Sequence, residues 1–403
     1  MMLKIKLSMK FLRRFIYFLA VLAIVSGAVG FLLHSRSVAA VQPIISTQKP
    51  AAASKVDLPW PAYGQAAVGG QGFGLLASHG PDSPVPIASV AKVITALSVL
   101  KQKPLAAGAP GPNITISASD VEFYRQAVAQ DGSVIPVSVG QEISEYQALA
   151  ALLLPSANNI AATLANWAFG SLDNYVAFAN NYVKTIGMSK TYVGDASGFS
   201  PNTTSTAKDL IALSQAALAN PLLASVVSQA QADFPNIGTI KNTNWLLGND
   251  GVIGIKTGNT DQAGGCFLLA AKQVIGAQPI TIFVSVLGAA NLQTAVTDAK
   301  NLLTASKNGF EVITAVKKND KIGYYNLPWG GNIYAVAAYD VPLVRWKEAP
   351  INQTAKLDSL IVPANREKIL GAMKVSSGPI SNSVPAVLRE PVPNPPWTWR
   401  LFH

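Results

Sequence analysis

The first apolar run of the chain, Phe15 to Leu33, is nineteen residues long and carries no charge. A helix over it would span ~28 Å, close to the hydrocarbon thickness of a bilayer. Residues 37–58 are rich in Ala, Ser, Pro and Val and read as a tether. Two short strands are expected at Gln65–Val68 and Gly72–Ala77, with glycines between them. From Ile87 to Leu100 the apolar positions Val90, Val93, Ile94, Leu97 and Leu100 follow a helical spacing, preceded by Pro84 and Pro86 and closed by Pro104. The same period predicts helices at Tyr146–Leu154, Ile160–Phe169, Leu172–Ile186 and Ala207–Leu218. The pattern then shortens to Val252–Gly258, Cys266–Lys272 and Ile280–Leu287, apolar runs separated by turn residues, as in an antiparallel meander. A further helix is expected at Leu292–Ala305. Beyond Phe310 the runs are short and β-rich: Val312–Val316, Ile333–Ala337, Val341–Trp346 and Leu360–Val362. Helices clustered on an antiparallel sheet make the class α+β, with a small β-rich domain after it.

This pattern divides the chain into a cytoplasmic tip and membrane segment at 1–36, a linker at 37–56, a main domain at 57–309, and a β-rich domain with a Pro/Trp tail at 310–403. The net charge of +10 suggests an anionic partner until its distribution is considered. Lys4, Lys6, Lys10, Arg13, Arg14 and Arg36 flank the apolar run, and no acid accompanies them in the first 40 residues. The remainder carries only +4 and no arginine-rich stripe, which argues against nucleic acid. The basic N-terminal flank predicts a cytoplasmic N-terminus and an extracytoplasmic remainder. The alternative is a signal peptide cleaved near Ala39 and Ala40, giving a secreted chain. One cysteine, Cys266, excludes an intrachain disulfide; within its apolar run it reads as a core residue. No metal or cofactor motif is present.

Three short motifs carry the chemistry. Ser89-Val-Ala-Lys92 sits at the start of a predicted helix, where a spacing of three puts hydroxyl and ammonium on one face. A serine nucleophile needs a base, and histidine is scarce: His34 adjoins the membrane segment and His403 ends the chain, leaving His79, which nothing marks out. Lys92 is the economical base. An ordinary lysine is protonated near neutrality, but burial, a second cation such as Lys256, and a helix N-terminus each lower its pKa. Ser156-Ala-Asn158 follows Pro155 in an interhelix turn, where a second hydroxyl can relay a proton and an amide can bind a substrate amide. Lys256-Thr-Gly258 ends a strand. Gly258 there admits a substrate backbone, Lys256 and Thr257 suit a carboxylate, and Asn259 offers a backbone N–H to an oxyanion.

The ordered triple resembles the active-site signature of β-lactamases and penicillin-binding proteins. Residues from about Asp57 to Ala305 resemble the serine D-alanyl-D-alanine carboxypeptidases, the low-molecular-mass penicillin-binding proteins. Gly254-Ile-Lys-Thr-Gly-Asn-Thr-Asp-Gln-Ala-Gly264, Asp195-Ala-Ser-Gly198 and Ser205-Thr-Ala-Lys-Asp-Leu210 are similar to further family segments. The resemblance implies a β-lactamase/transpeptidase-like catalytic fold that trims the last D-alanine from peptidoglycan stem pentapeptides. It implies Ser89 as the acylated nucleophile, Lys92 as its base, Ser156 as a proton relay and Asn158 as a substrate-binding amide. Lys256 and Thr257 would hold the terminal carboxylate, with Ser89 and Asn259 N–H groups as the oxyanion hole. β-Lactams would be covalent inhibitors, and no cofactor is implied. Members commonly carry an arginine after the third meander strand, whereas Thr281–Lys300 has none, and Lys208 stands where many have arginine. The proline-rich tail Pro391–Trp399 is expected not to form the amphipathic membrane helix of many relatives, and Trp397, Trp399 and Phe402 are expected to pack on the β domain. Alternatives are a D,D-endopeptidase on cross-links, a β-lactamase-like enzyme, and a catalytically silent cell-wall-binding protein. Ala157 where class A β-lactamases have Asp, and no acid between Ser156 and Leu172, argue against the β-lactamase.

Overall fold

The computed structural model describes residues 9–35, 38–46 and 52–402. Lys4, Lys6, Arg36 and His403 lie outside them, as does the side chain of His34. The apolar N-terminal run is helix α1 (Met9–Ser35), long and apolar enough over Met9–Leu32 to cross a membrane, and exposed along that length.

The main sheet has five antiparallel strands: β1 (Gln65–Gly70), β2 (Gly74–His79), β3 (Val252–Thr260), β4 (Gly264–Ile275) and β5 (Gln278–Ala289). Their order is β3-β4-β5-β1-β2. Side chains alternate across a strand, and here both faces are covered. Phe267, Leu269 and Ala271 of β4 pack with Ala295, Ala299 and Leu302 from the helix Leu292–Gly309. Cys266, Leu268 and Ala270 point the other way, into the helical cluster. Double burial is why β4 and β5 read as continuous apolar runs without polar alternation.

At the centre of the helical cluster is α2 (Ala91–Gln102), buried at every residue from Ala91 to Leu100. Around it pack α4 (Glu145–Leu153), α5 (Asn158–Phe169), α6 (Leu172–Thr185) and α7 (Ala207–Ala219), and α3 (Ala118–Ala129) lies outside them against α5. Caps fix where several begin: Ser117 and Asp120 form a capping box at α3, and Ser144 and Gln147 form one at α4. Helix α5 ends at Gly170 in the left-handed conformation, φ +79°.

The C-terminal region holds a six-stranded sheet in the order Pro43–Ile45, Lys321–Asn326, Asn332–Ala337, Ile380–Leu388, Ile369–Ser377, Asn352–Leu357. A two-stranded ribbon, Phe310–Val316 with Val341–Trp346, stands beside it. Phe310 and Trp346 of the ribbon join the core that lies under the main sheet, their rings edge-to-face at 5.1 Å.

Three expectations change. The stretch read as a tether contributes a strand, since Pro43–Ile45 pairs with Tyr325–Gly323. Farther along, Arg345 donates to the Ala52 carbonyl at 2.8 Å and the Val56 N–H donates to Glu348 at 2.8 Å. This segment is therefore fastened to the C-terminal region, to its sheet at Pro43–Ile45 and to its ribbon at Ala52; its small, polar-flanked composition concealed an edge strand whose partner lies some 280 residues away. Leu360–Val362 is not a strand: Leu360 makes a single bridge to Val41, and the Val362–Pro363 bond is cis. The tail ends in a one-turn helix, Trp397–Phe402, because its prolines stop at Pro396. Trp399 packs edge-to-face on Trp329, whereas Trp397 and Phe402 are 68% and 84% exposed, so only the first follows the packing expected.

Candidate active site

The start of α2 is built as a strained corner. A single 3-10 turn, Ala88–Val90, precedes it, and Ala88 takes φ +46°, an unfavourable backbone region for a residue with a Cβ. The corner leaves Ser89 half-buried, while Lys92, one step into the helix, is completely buried. Lys92 Nζ lies 2.8 Å from Ser89 Oγ, 2.7 Å from Asn158 Oδ1 and 2.9 Å from the Ser197 carbonyl oxygen.

These three partners determine what the lysine can do. A neutral amine has two N–H bonds and one lone pair. Asn158 Oδ1 and the Ser197 carbonyl can only accept, so they take the two N–H bonds. The lone pair is left facing the Ser89 hydroxyl, the one partner with a proton to give. Electrostatics favour that neutral form: burial pushes the Lys92 pKa well below the ordinary lysine range, the Lys256 charge lowers it further, and Asp195 opposes both. Of the three influences expected from the sequence, burial and the second cation act here.

The second motif lies in the turn between α4 and α5. Ser156 adopts φ +68° and is 5% exposed, and its Oγ has no hydrogen-bond partner. Asn158 opens α5, its N–H donating to the Ser133 carbonyl at 2.7 Å. The third motif is on edge strand β3. Lys256 is 1% exposed, its Nζ donates to the Thr257 carbonyl at 3.0 Å, and burial brings its pKa down to about 7. Thr257 shares a 2.7 Å hydrogen bond with Thr243. At Gly258 a Cβ would lie 3.0 Å from Ser89 N and 3.1 Å from the Ala88 Cβ, so this strand packs directly on the serine corner. Asn259 is exposed on a cavity of about 770 Å3 shared with Gln130, Asp131, Asp195 and Ser197.

The structure thus joins Ser89, Lys92 and Asn158 in one hydrogen-bonded chain and packs Gly258 against it. Ser156 and Thr257 are buried and make no hydrogen bond to Ser89 or Lys92. The sequence reading missed the Ser197 carbonyl, a backbone atom 105 residues from its partner, and Thr243. The segment Asp195–Gly198, marked in the sequence only by its resemblance to a family segment, is the turn that supplies this carbonyl. His79 lies on β2, stacked on Trp60 at 5.7 Å. The Cys266 thiol is buried, which pushes its pKa up to about 12 and suits a core residue. Lys208 is engaged by Asp82 at 3.2 Å, which Lys190 also approaches at 2.8 Å. Among the described residues no group of His, Cys, Asp and Glu is arranged to hold a metal ion.

Comparison with known proteins agrees with this geometry. Residues 67–291 match the peptidase S11 family, D-alanyl-D-alanine carboxypeptidase. A D-alanyl-D-alanine endopeptidase of Pseudomonas aeruginosa is 33% identical over 232 residues, 55% of this chain and 71% of its own. The D-alanyl-D-alanine carboxypeptidase DacA of Escherichia coli is 23% identical over 76% of this chain and 77% of its own. In three dimensions the fold is like that of penicillin binding protein 5 from Haemophilus influenzae, with a TM-score of 0.59 and 21% identity over 84% of this chain and all of that one. Motif order, fold and sequence similarity agree: the chain belongs to the peptidase S11 family of D-alanyl-D-alanine carboxypeptidases and is a serine peptidase.

Proposed function

We propose that the enzyme removes the terminal D-alanine from peptidoglycan stem pentapeptides through an acyl-enzyme on Ser89. The observation that carries this reading is the three-way coordination of Lys92, whose only proton-giving partner is the Ser89 hydroxyl at 2.8 Å. Ser89 Oγ attacks the carbonyl of the penultimate D-alanine while its proton passes to Lys92. The backbone N–H groups of Ser89 and Asn259 face the developing oxyanion, where preorganised donors contribute most. Lys92, relayed by the unpartnered hydroxyl of Ser156, returns the proton to the departing amine of D-alanine. Lys256, with Thr257 beside it, meets the substrate's terminal carboxylate; a buried cation with little other satisfaction has much to gain from that anion. Gly258 leaves the edge of β3 open to the peptide backbone, and Asn158 binds a substrate amide. Water then attacks the acyl ester with Lys92 again as base. A β-lactam offers the same carboxylate and a reactive amide, so it acylates Ser89 and inhibits the enzyme.

A second reading, cleavage of D,D cross-links between stem peptides, is favoured by the endopeptidase relatives at 33% and 30% identity. Incubation with a synthetic pentapeptide ending in D-Ala-D-Ala, and separately with a cross-linked stem dimer, tests both. Release of free D-alanine from the pentapeptide supports the first reading; cleavage of the dimer without D-alanine release replaces it with the second.

For location, we propose that α1 is retained as a single membrane span with a cytoplasmic N-terminus and an extracytoplasmic catalytic region. The basic residues before the apolar run support this orientation. The alternative is cleavage of α1 as a signal and release of the remainder.

A further inference from the structure

The Ser197 carbonyl must be held in direction if it is to keep one N–H bond of Lys92 occupied. A single carboxylate holds it. Asp195 Oδ2 accepts from the Ser197 N–H at 3.2 Å, the Ser197 hydroxyl at 2.7 Å and the Phe199 N–H at 3.1 Å. Its Oδ1 accepts from the Gly198 N–H at 3.1 Å and from the Thr203 hydroxyl. Thr203 is completely buried, and its Oγ1 in turn accepts from the Gly194 N–H at 3.0 Å and the Asp195 N–H at 3.1 Å. The same turn touches the serine corner: Gly198 sits at φ +73°, and a Cβ there would lie 1.9 Å from the Ala88 carbonyl oxygen. One carboxylate therefore ties together a loop that contacts both the backbone before Ser89 and the amine of Lys92.

We propose that Asp195 is a positioning residue for the Ser89–Lys92 pair, acting through the turn that holds the Ser197 carbonyl on the lysine. This rests on the reading of Lys92 as the general base. Its charge has a second effect, with a definite sign. The charged groups that act on Lys92 are Lys256 on β3, which lowers its pKa, and Asp195, which raises it. Tyr175 on α6 reaches the neighbouring Thr95 at 2.7 Å, and burial pushes its phenol above the ordinary range, so it stays neutral. Asp195 is thus the acid that opposes Lys256, and removing its charge leaves Lys92 neutral down to lower pH.

The test uses the full chain in detergent with two variants. Asp195→Asn removes the charge and turns an amide toward donors that now face a carboxylate oxygen. Thr203→Val keeps the charge and removes one tie. The rate of acylation by a fluorescent penicillin is measured against pH, and the Lys92 Cε resonance is titrated by 13C NMR, assigned with Lys92→Met. For Asp195→Asn the plateau rate falls at least about tenfold, a part of the ~10²–10⁴-fold contributed by a positioned general base. The acid limb and the Lys92 titration both move to lower pH. For Thr203→Val the plateau falls and the acid limb stays. An Asp195→Asn protein that melts like the parent and acylates at the parent rate, with the limb unmoved, overturns the proposal. So does a raised KM for peptide with an unchanged acylation plateau, which would make Asp195 a substrate contact. If Asp195→Asn does not fold, an unchanged plateau in Thr203→Val overturns it. If the parent forms no adduct, the proposed function fails, and the NMR titration still decides whether the Asp195 charge acts on Lys92.

Discussion

Glu145 provides a quantitative test of the helical cluster that carries the second motif. It is the first residue of α4, is 1% exposed, and its Oε1 has no hydrogen-bond partner. Its other oxygen is pressed against Gly111, where a Cβ would lie 3.0 Å away. Burial raises its pKa from 4.5 to about 7, against the opposing pull of Lys103. Below the lower value both folded and unfolded chains hold the proton, so there is no effect. Between the two values the folded chain keeps a proton that the unfolded chain has lost, and stability falls as pH rises. Above the upper value the penalty is complete. At 1.36 kcal/mol per pH unit it is about 3 kcal/mol. Glu145→Gln removes the charge and keeps the shape. The amide leaves polar atoms unsatisfied at a cost of about 1–2 kcal/mol, which does not vary with pH. The difference between two pH values therefore isolates the ionisation. Thermal unfolding of parent and variant, followed by tryptophan fluorescence in detergent at about pH 4 and about pH 8.5, reads it directly. At 2–4 °C per kcal/mol, the melting temperature of the variant relative to the parent should be ~6–12 °C more favourable at the higher pH. An equal difference at both pH values would refute the argument that Glu145 is buried and forced to ionise there.

Other predictions address the site and the anchor. Lys256→Ala removes a cation that depresses Lys92, so the acid limb of penicillin acylation moves to higher pH; a limb moving the other way, or not at all, would dissociate the two lysines. Gly198→Ala forces a Cβ into the Ala88 carbonyl at a left-handed φ, costing at least about 1–2 kcal/mol and slowing acylation. Parent-like melting and rate would show that the turn does not brace the serine corner. Mass analysis of protein from membranes should find the residues before Phe15 still attached. A new N-terminus near Ala39 or Ala40 would make α1 a cleaved signal and would leave the strand Pro43–Ile45 at the start of the mature chain.

Much of the catalytic fold is legible in the sequence because its core elements are apolar in a periodic way. Helix α2 is buried along most of its length and the three meander strands are largely covered on both faces, and their ends fall within a few residues of the pattern. Elements that depend on a distant partner are not legible. Helix α3 buries only Asp120 and Ala127, so it shows no apolar stripe; its signal was the Ser117–Asp120 capping box. Asn352–Leu357 is a half-exposed edge strand, and Ile380–Leu388 contains Pro385, which argues against a strand when read locally. At the site, residue types and spacings point to Ser89, Lys92 and Asn158 as chemistry, and their hydrogen-bonded contact is consistent with that reading. The Ser197 carbonyl was invisible because every residue has one; only the folded turn around Asp195 aims it. The exact surroundings of Ser156, unpartnered at φ +68°, likewise come from the packing of α4 against α5.

The central claim is that Ser89 becomes covalently acylated with Lys92 as its base. The most direct measurement is mass spectrometry of the full chain after incubation with penicillin, followed by peptide mapping. One stoichiometric adduct is expected on the peptide carrying Ser89, absent in Ser89→Ala and formed far more slowly in Lys92→Ala. An adduct on any other residue, or none in the parent, would contradict it.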